Sequence, residues 1–114
     1  MKLYELAHCR AGDKGNISTL SVFAYHPDDF GWLRRDLTEE RVARHLQEIA
    51  PGGVTRYELP NLAALHFVCR RRGSDRVTVT LNLDAHGKSL SSALLELDLP
   101  DSQPALPPRD RRNN

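Results

Sequence analysis

The segment with the clearest chemical potential is the polar stretch at residues 10–16, which reads RAGDKGN. Its two glycines, Gly12 and Gly15, permit positive φ angles and close approach of the backbone to a ligand. Backbone amides exposed beside Arg10 and Lys14 would form a concavity that receives a carboxylate or a phosphate. We therefore regard this stretch as a candidate anion-binding loop.

Two other roles suit the same stretch. Asp13 would either orient Lys14 or act as an acid or base. Alternatively, Asp-Lys-Gly is typical of a hairpin turn in which Gly15 takes the left-handed position. Turn chemistry alone does not decide between a ligand loop and a plain chain reversal.

A second polar stretch lies at residues 84–89, with the sequence DAHGKS. Its last three residues, Gly87, Lys88 and Ser89, resemble the end of a nucleotide-binding P-loop. That motif needs a glycine five residues before Gly87, where this chain has Asn82, so the P-loop interpretation fails. A ligand-binding loop and a strand-to-helix turn with a serine cap both remain open.

The remaining reactive side chains indicate no metal or cofactor site. The chain has five histidines, none at metal-ligand spacing, and only His8 and His86 adjoin the polar stretches as candidate proton carriers. Cys9 and Cys69 form no CxxC pair, which favours reduced, buried thiols. Asn61 follows a proline and either makes a turn or presents its amide to a ligand.

The composition indicates one soluble cytoplasmic domain. The chain has 114 residues and a net charge of +1, which argues against a nucleic-acid binder because such proteins concentrate basic charge. The basic run at residues 70–72 lacks interleaved aromatic residues and suits a solvated strand end. No apolar stretch is long enough for a membrane span or a signal peptide.

Hydrophobic periodicity predicts mostly strands with one clear helix. The helix covers residues 38–50, with Thr38 as N-cap and the 51–53 segment Pro-Gly-Gly as its end, and a short helical turn is expected at 30–37. Residues 89–99 suit either a short helix or a final strand. Strands are predicted at residues 3–9, 18–25, 54–59, 64–70 and 76–84. Strands followed by helices indicate a fold of the α+β class, in the form of an open α/β sandwich.

Several segments in the same order resemble the AtuA-like ferredoxin-fold domain, named for the acyclic terpene utilisation protein AtuA. The opening LYELAHCRAGDKGN at residues 3–16 carries most of the resemblance, and the shorter segments at 37–42, 54–62, 65–68 and 83–90 extend it. Ala11 departs from the family pattern, which has serine there.

The resemblance implies a ferredoxin-like open α/β sandwich over residues 1–99, with a mainly antiparallel sheet and helices on one face, followed by a proline-rich polar tail at 100–114. It implies a small subunit that partners a larger AtuA-type protein in the catabolism of acyclic terpenoids or branched acids as coenzyme A thioesters. We expect no metal, cofactor, nucleic acid or membrane among its partners.

The residues and the resemblance together suggest three alternative functions for this chain. The first is an accessory subunit whose polar stretches contribute to an anionic acyl or acyl-CoA site. The second is a stand-alone hydratase or lyase acting on a CoA thioester, with Asp13, Lys14 and His86 as catalytic candidates. The third is a homo-oligomeric scaffold without catalysis. The candidate ligand-binding residues are Arg10, Gly12, Asp13, Lys14, Gly15, Asn16, Asn61, Asp84 and Lys88.

Overall fold

Two β-hairpins form one antiparallel sheet. The computed structural model describes residues 1–71 and 90–100, and within them the strands lie in the order β1-β2-β4-β3. The two hairpins meet through β2 and β4, which pair antiparallel at the centre of the sheet. Strand β1 spans Ala7–Lys14, β2 Ile17–Ala24, β3 Val54–Leu59 and β4 Ala64–Arg70.

In the described part of the chain, three short α-helices cover one side of this sheet. They are α1 at Phe30–Asp36, α2 at Glu39–His45 and α3 at Leu90–Leu95. Helix α2 packs on β3 and α3 packs on β1. The Thr38 side chain accepts a hydrogen bond from the backbone N–H of Arg41, which caps the start of α2 as the sequence predicts.

Strand alternation gives the sheet two different faces. On the side of the helices, the central strands contribute fully buried apolar residues to the core, including Leu20, Leu65 and Phe67. The intervening residues of the same strands, such as Thr19, Ser21, His66 and Val68, are only half-buried. We call these two sides the covered face and the open face.

The α+β class, the antiparallel sheet and the helices on one face confirm the predicted fold. The strands predicted at 18–25, 54–59 and 64–70 are also confirmed, to within a residue at each end. The helical turn predicted at 30–37 is α1. In the segment 89–99, where the pattern suited a helix or a strand, Leu90–Leu95 form the helix α3, and Asp98 beyond it forms an antiparallel bridge with Lys2.

The prediction for the first strand is wrong in its bounds. Residues Leu3–Glu5 form a 3-10 turn, and the strand runs from Ala7 to Lys14. Most of residues 10–16 is therefore strand, not loop. Gly12 and Asp13 are poor strand formers, but each is paired with a residue of β2, and this pairing overrides local propensity.

The predicted helix at 38–50 is too long. Helix α2 ends at His45, and the chain continues in tight turns to Ala50. Beyond His45 the backbone N–H groups of Gln47 and Ile49 each donate to a carbonyl only three residues back, so the regular α-helical hydrogen-bond pattern is not continued. The predicted strand at 76–84, the polar stretch at 84–89 and the tail beyond residue 100 lie outside the described residues.

Arg56 connects β3 to the helices. Its guanidinium donates to the carbonyl of Arg34 at 2.8 Å and to that of Leu37 at 3.0 Å, at the C-terminal end of α1. Its backbone N–H donates to the Glu39 carboxylate at 2.8 Å. The side chain of Arg56 thus satisfies helix carbonyls that have no partner within the helix.

Candidate functional site

The Asp-Lys-Gly string forms the tip of the β1–β2 hairpin. Lys14 pairs with Ile17, which leaves Gly15 and Asn16 as a two-residue loop. Gly15 has φ 64, and glycine with positive φ at the first loop position is the pattern of a type II′ turn. The hairpin interpretation of this string is therefore confirmed, and it leaves open what the exposed side chains do.

The hairpin tip is anchored from the covered face. Arg71 donates from its guanidinium to the Gly15 carbonyl at 2.8 Å, and its backbone N–H donates to the Asn16 carbonyl at 2.8 Å. The Arg71 side chain is only 6% exposed. The prediction that residues 70–72 form a solvated strand end is thus wrong for Arg71, because the hairpin covers its side chain.

Asp13 belongs to the same anchor. The hydroxyl of buried Ser18 donates to its carboxylate at 2.7 Å, and Arg71 lies 3.6 Å from the same oxygen. Because neighbouring strand residues point to opposite faces, Asp13 and Lys14 lie on different sides of the sheet. The carboxylate of Asp13 therefore fixes the hairpin and is not placed beside the Lys14 ammonium group.

Arg10, Gly12 and Lys14 alternate along β1 on the open face, and all three are exposed. A Cβ at Gly12 would lie 3.1 Å from the Thr19 hydroxyl oxygen. The glycine therefore leaves a shallow gap between the two cations, with the Thr19 hydroxyl beside it. Arg70 adds a third cation from β4, and its guanidinium donates to the Thr55 hydroxyl at 2.8 Å.

The electrostatic character of the open face is one-sided. None of the positions that β1, β2, β3 and β4 present on this face is Asp or Glu. We call the part that carries Arg10, Lys14 and Arg70 the cationic end. Within residues 1–71 and 90–100, no carboxylate of the same face neutralises its positive charge, so it attracts an anion.

A polar row crosses the middle of the open face. Arg10, Ser21, His66 and Tyr57 are direct neighbours on successive strands. The Ser21 hydroxyl oxygen lies 2.8 Å from Nδ1 of His66. A neutral imidazole with its proton on Nε2 accepts this hydrogen bond, and its Nε2–H is then a donor for a ligand. We call these four residues the central row.

The far end of the open face is aromatic and apolar. The rings of His8 and Phe23 stack with centroids 5.1 Å apart, and His8 also contacts Tyr25 at 5.7 Å. Leu59 and Tyr25 are large hydrophobic residues that remain exposed. We call His8, Phe23, Tyr25 and Leu59 the apolar end. Exposed apolar surface rimmed by polar groups is typical of a contact site for another molecule.

The two cysteines are free thiols on the covered face. Burial raises the pKa of Cys9 to about 12, and the nearby Cys69 adds to this shift. Burial also raises the pKa of Cys69, to about 11, against a smaller lowering effect of Arg70. Both groups are therefore protonated and weakly nucleophilic near neutral pH.

The structure separates some of the predicted site residues and brings others together. Arg10, Gly12 and Lys14 share one face, and Gly15 and Asn16 form the adjacent turn. Asn61 lies in the exposed 3-10 turn Pro60–Leu62, at the opposite end of the sheet. The three candidates from the second polar stretch, Asp84, His86 and Lys88, lie outside the described residues and stay predictions.

Sequence reasoning missed Ser21, His66 and Tyr57 of the central row. Period-two alternation places each of them on one side of its strand, but only the pairing register makes them neighbours. One signal for His66 was present in the sequence. Apolar residues alternate along β4, and His66 lies between the buried Leu65 and Phe67, which places it on the opposite face. Arg71 was missed because a basic run normally indicates solvent exposure.

Within residues 1–71 and 90–100, no group of three or more His, Cys, Asp or Glu side chains is arranged to hold a metal ion. In the same part of the chain, none of the helices has the length and hydropathy required to cross a membrane.

The features of the fold define a small ferredoxin-like α+β domain, with an antiparallel sheet that carries helices on one face and polar and aromatic side chains on the other. The chain belongs to the AtuA ferredoxin-like domain family, whose family model matches residues 1–100. This confirms the resemblance that begins at the opening segment. Neither the curated proteins nor the solved structures contain a match to this chain.

Proposed function

We propose that this chain is an accessory binding domain that acts together with a larger AtuA-type protein on anionic acyl compounds, including acyl-CoA thioesters. The observation that carries the proposal is the division of the open face into a cationic end and an apolar end. The apolar end contacts the larger protein, and the cationic end holds the negatively charged part of the substrate at the junction.

The apolar end supports the partner contact. Tyr25 and Leu59 are 45% and 37% exposed, and Leu62 nearby is 61% exposed. Such residues at one end of a sheet form an apolar surface that loses contact with water when a partner covers it. The rings of His8 and Phe23 are already stacked on each other, so a partner that covers them has less side-chain freedom to restrict.

The cationic end supports the anion contact. Arg10 and Lys14 project from the same side of β1 with only Gly12 between them. Charged donors of this kind form the stronger class of hydrogen bond with carboxylates and phosphates. The neighbouring hydroxyl groups of Thr19 and Ser21 already contact the Gly12 carbonyl at 3.4 Å and Nδ1 of His66 at 2.8 Å, so the charged groups are the donors for the anion.

The geometry favours an accessory function over a stand-alone hydratase or lyase. That reaction would need an acid or base next to the group that stabilises developing charge. Asp13 is held by Ser18 and Arg71 on the side of the sheet away from Lys14. These two catalytic candidates are therefore not placed to act on one substrate atom.

We place this function in the cytoplasm. Cys9 and Cys69 are free thiols, and reduced cysteines are the normal state in that compartment.

Co-purification tests the proposal. The tagged full-length chain is co-expressed with a larger AtuA-type protein, and we expect the two to elute together. Leu59→Glu should abolish the complex, because a carboxylate would be buried in an apolar contact. Tyr4→Glu is the matched control: Tyr4 has a similar exposure, 39%, but lies in the Leu3–Glu5 turn, outside the sheet.

Two outcomes would overturn the proposal. One is the absence of any complex with the wild-type chain, with acyl-CoA present or absent. The other is an equal loss with Leu59→Glu and Tyr4→Glu. Light scattering of the chain alone is the companion measurement: a dimer that Leu59→Glu dissociates would assign the apolar end to a second copy of this chain.

A further inference from the structure

We infer that the open face binds a nucleotide, with its phosphate groups between Arg10 and Lys14 and its base against the ring of Tyr57. The inference deepens the proposed function by naming the ligand class, and it rests on that function for the choice of the open face. Two separate features carry it: a cluster of cations with no carboxylate on the open face of the described strands, and an exposed aromatic ring at the other end of the central row.

The first feature indicates a multiply charged anion. Arg10 and Lys14 approach from β1 and Arg70 from β4, with Thr19 between these strands. None of the open-face positions of the four strands carries an acidic residue. Two or three cations around one area exceed what a single carboxylate needs, whereas phosphate or pyrophosphate groups carry several charges.

Gly12 makes room for such a group. Any larger residue at this position would place its Cβ 3.1 Å from the Thr19 hydroxyl oxygen and fill the gap. Because no side chain stands there, a phosphate group can lie close to the sheet between Arg10 and Lys14, above the Thr19 hydroxyl, which itself donates to the Gly12 carbonyl at 3.4 Å.

The second feature indicates a flat ring. Tyr57 is 52% exposed and lies three strands away from Arg10 along the central row, which corresponds to about 14 Å between their Cα atoms. Exposed aromatic rings on a sheet surface are the usual stacking platforms for nucleobases. His8 and Phe23 are less suited, because their rings already stack on each other.

The residues between these two points suit the rest of a nucleotide. Ser21 and His66 are half-buried and joined by the 2.8 Å hydrogen bond. A hydroxyl and an imidazole at the centre of the row can donate to and accept from the hydroxyl groups of a ribose. Inorganic phosphate would contact only the cationic end, whereas a nucleotide would also contact the central row as far as Tyr57.

A free nucleotide fits better than a nucleic-acid strand. Single-strand binders follow the phosphate backbone with an extended positive groove. On this face the cations extend only from the hairpin tip to Arg10 in the central row, and the opposite end is apolar. The net charge of the whole chain is only +1.

Calorimetric titration of the full chain with ADP, pyrophosphate and adenosine tests the inference. We expect ADP to bind at least about tenfold more tightly than either of the other two, since it engages both features. Arg10→Ala and Lys14→Ala should each weaken ADP and pyrophosphate about tenfold. Tyr57→Leu should weaken ADP about tenfold or more and leave pyrophosphate unchanged.

Arg44→Ala and Tyr4→Leu are the matched controls, because Arg44 is an exposed cation on α2 and Tyr4 an exposed ring outside the sheet. Neither should change any affinity. Circular dichroism of each variant establishes that it is folded before the titrations are compared.

Three results would overturn the inference. ADP could bind no more tightly than adenosine, which would remove the phosphate contact. ADP could bind no more tightly than pyrophosphate, with Tyr57→Leu silent, which would leave an anion site alone. A single-stranded oligonucleotide could bind far more tightly than ADP, which would make the face a nucleic-acid surface. Because these titrations use the chain alone, their failure is distinguishable from a failure to capture the larger protein.

Discussion

The covered and open faces of the sheet are built from alternate residues of the same strands, yet they are organised differently. On the covered face, Leu65 and Phe67 are fully buried against the helices. On the open face, His66 lies between them in sequence and is held by a hydrogen bond to Ser21. Burial against the helices thus stabilises the domain through one face, whereas in the described part of the chain the other face keeps side chains such as Arg10 and Tyr57 exposed for recognition.

Strand β1 repeats the contrast along its length. Its first residue, Ala7, is fully buried, whereas Arg10 to Lys14 are exposed on both sides. The hairpin tip therefore depends on Arg71 and on pairing with β2 for its position, and contributes little to the core.

The largest expected effect concerns the covered face. Phe67→Ala should lower the free energy of unfolding by about 3–5 kcal/mol, because it removes a fully buried ring and leaves a cavity. Tyr57→Ala on the open face should cost about 1 kcal/mol or less. Urea denaturation measures both. Equal losses would mean that the two faces do not differ in burial, and the comparison would fail.

A smaller loss is expected at the hairpin anchor. Arg71→Met should lower the free energy of unfolding by about 1.5–3 kcal/mol, because a charged donor to the Gly15 carbonyl is lost from a buried position. Arg70→Met is the matched control on the exposed, open-face side, with an expected change of about 0.5 kcal/mol or less. If the two methionine variants unfold at the same urea concentration, Arg71 is not an anchor.

The thiols give a pH test of the covered face. The pKa of Cys9 is raised to about 12 and that of Cys69 to about 11, from 9.0. Above about pH 9 the unfolded chain loses these protons while the folded chain keeps them, so stability should fall as pH rises toward 11. We expect Cys9→Ala to reduce the slope of unfolding free energy against pH. An unchanged slope would contradict burial as the cause.

The smallest stability effect is expected at the cationic end. Arg10→Ala and Lys14→Ala should change the free energy of unfolding by about 0.5 kcal/mol or less, since both side chains are exposed. Their effect on ADP affinity should nevertheless be about tenfold. A loss of stability comparable to that of Arg71→Met would show that these cations serve the fold, and that recognition and stability are not separated.

Sequence patterns sufficed where local chemistry and burial agree. The alternation in β4 and the Thr38 cap of α2 are both read correctly, because they depend on side chains within a few residues. The end of β1 could not be read in this way. Gly12 and Asp13 disfavour strands locally, and only the pairing with Thr19 and Ser18 extends the strand to Lys14.

In the candidate site, too, some residues could be predicted from the sequence and others could not. The string that contains Arg10 and Lys14 is visible in the sequence because its residue types are unusual for a strand. Ser21 and His66 are ordinary residues 45 positions apart, and their proximity depends on the β2–β4 register. Which face the helices cover also depends on long-range packing, so the separation of Asp13 from Lys14 follows only from the fold.

The contact between Glu39 and β3 has a further consequence for how copies of this domain meet. The carboxylate of Glu39 occupies the backbone N–H of Arg56, a group that an incoming strand would need in order to lengthen the sheet beyond β3. Among the described strands β3 lies at the edge of the sheet, so a strand from a second copy would have to displace Glu39 in order to pair with this N–H.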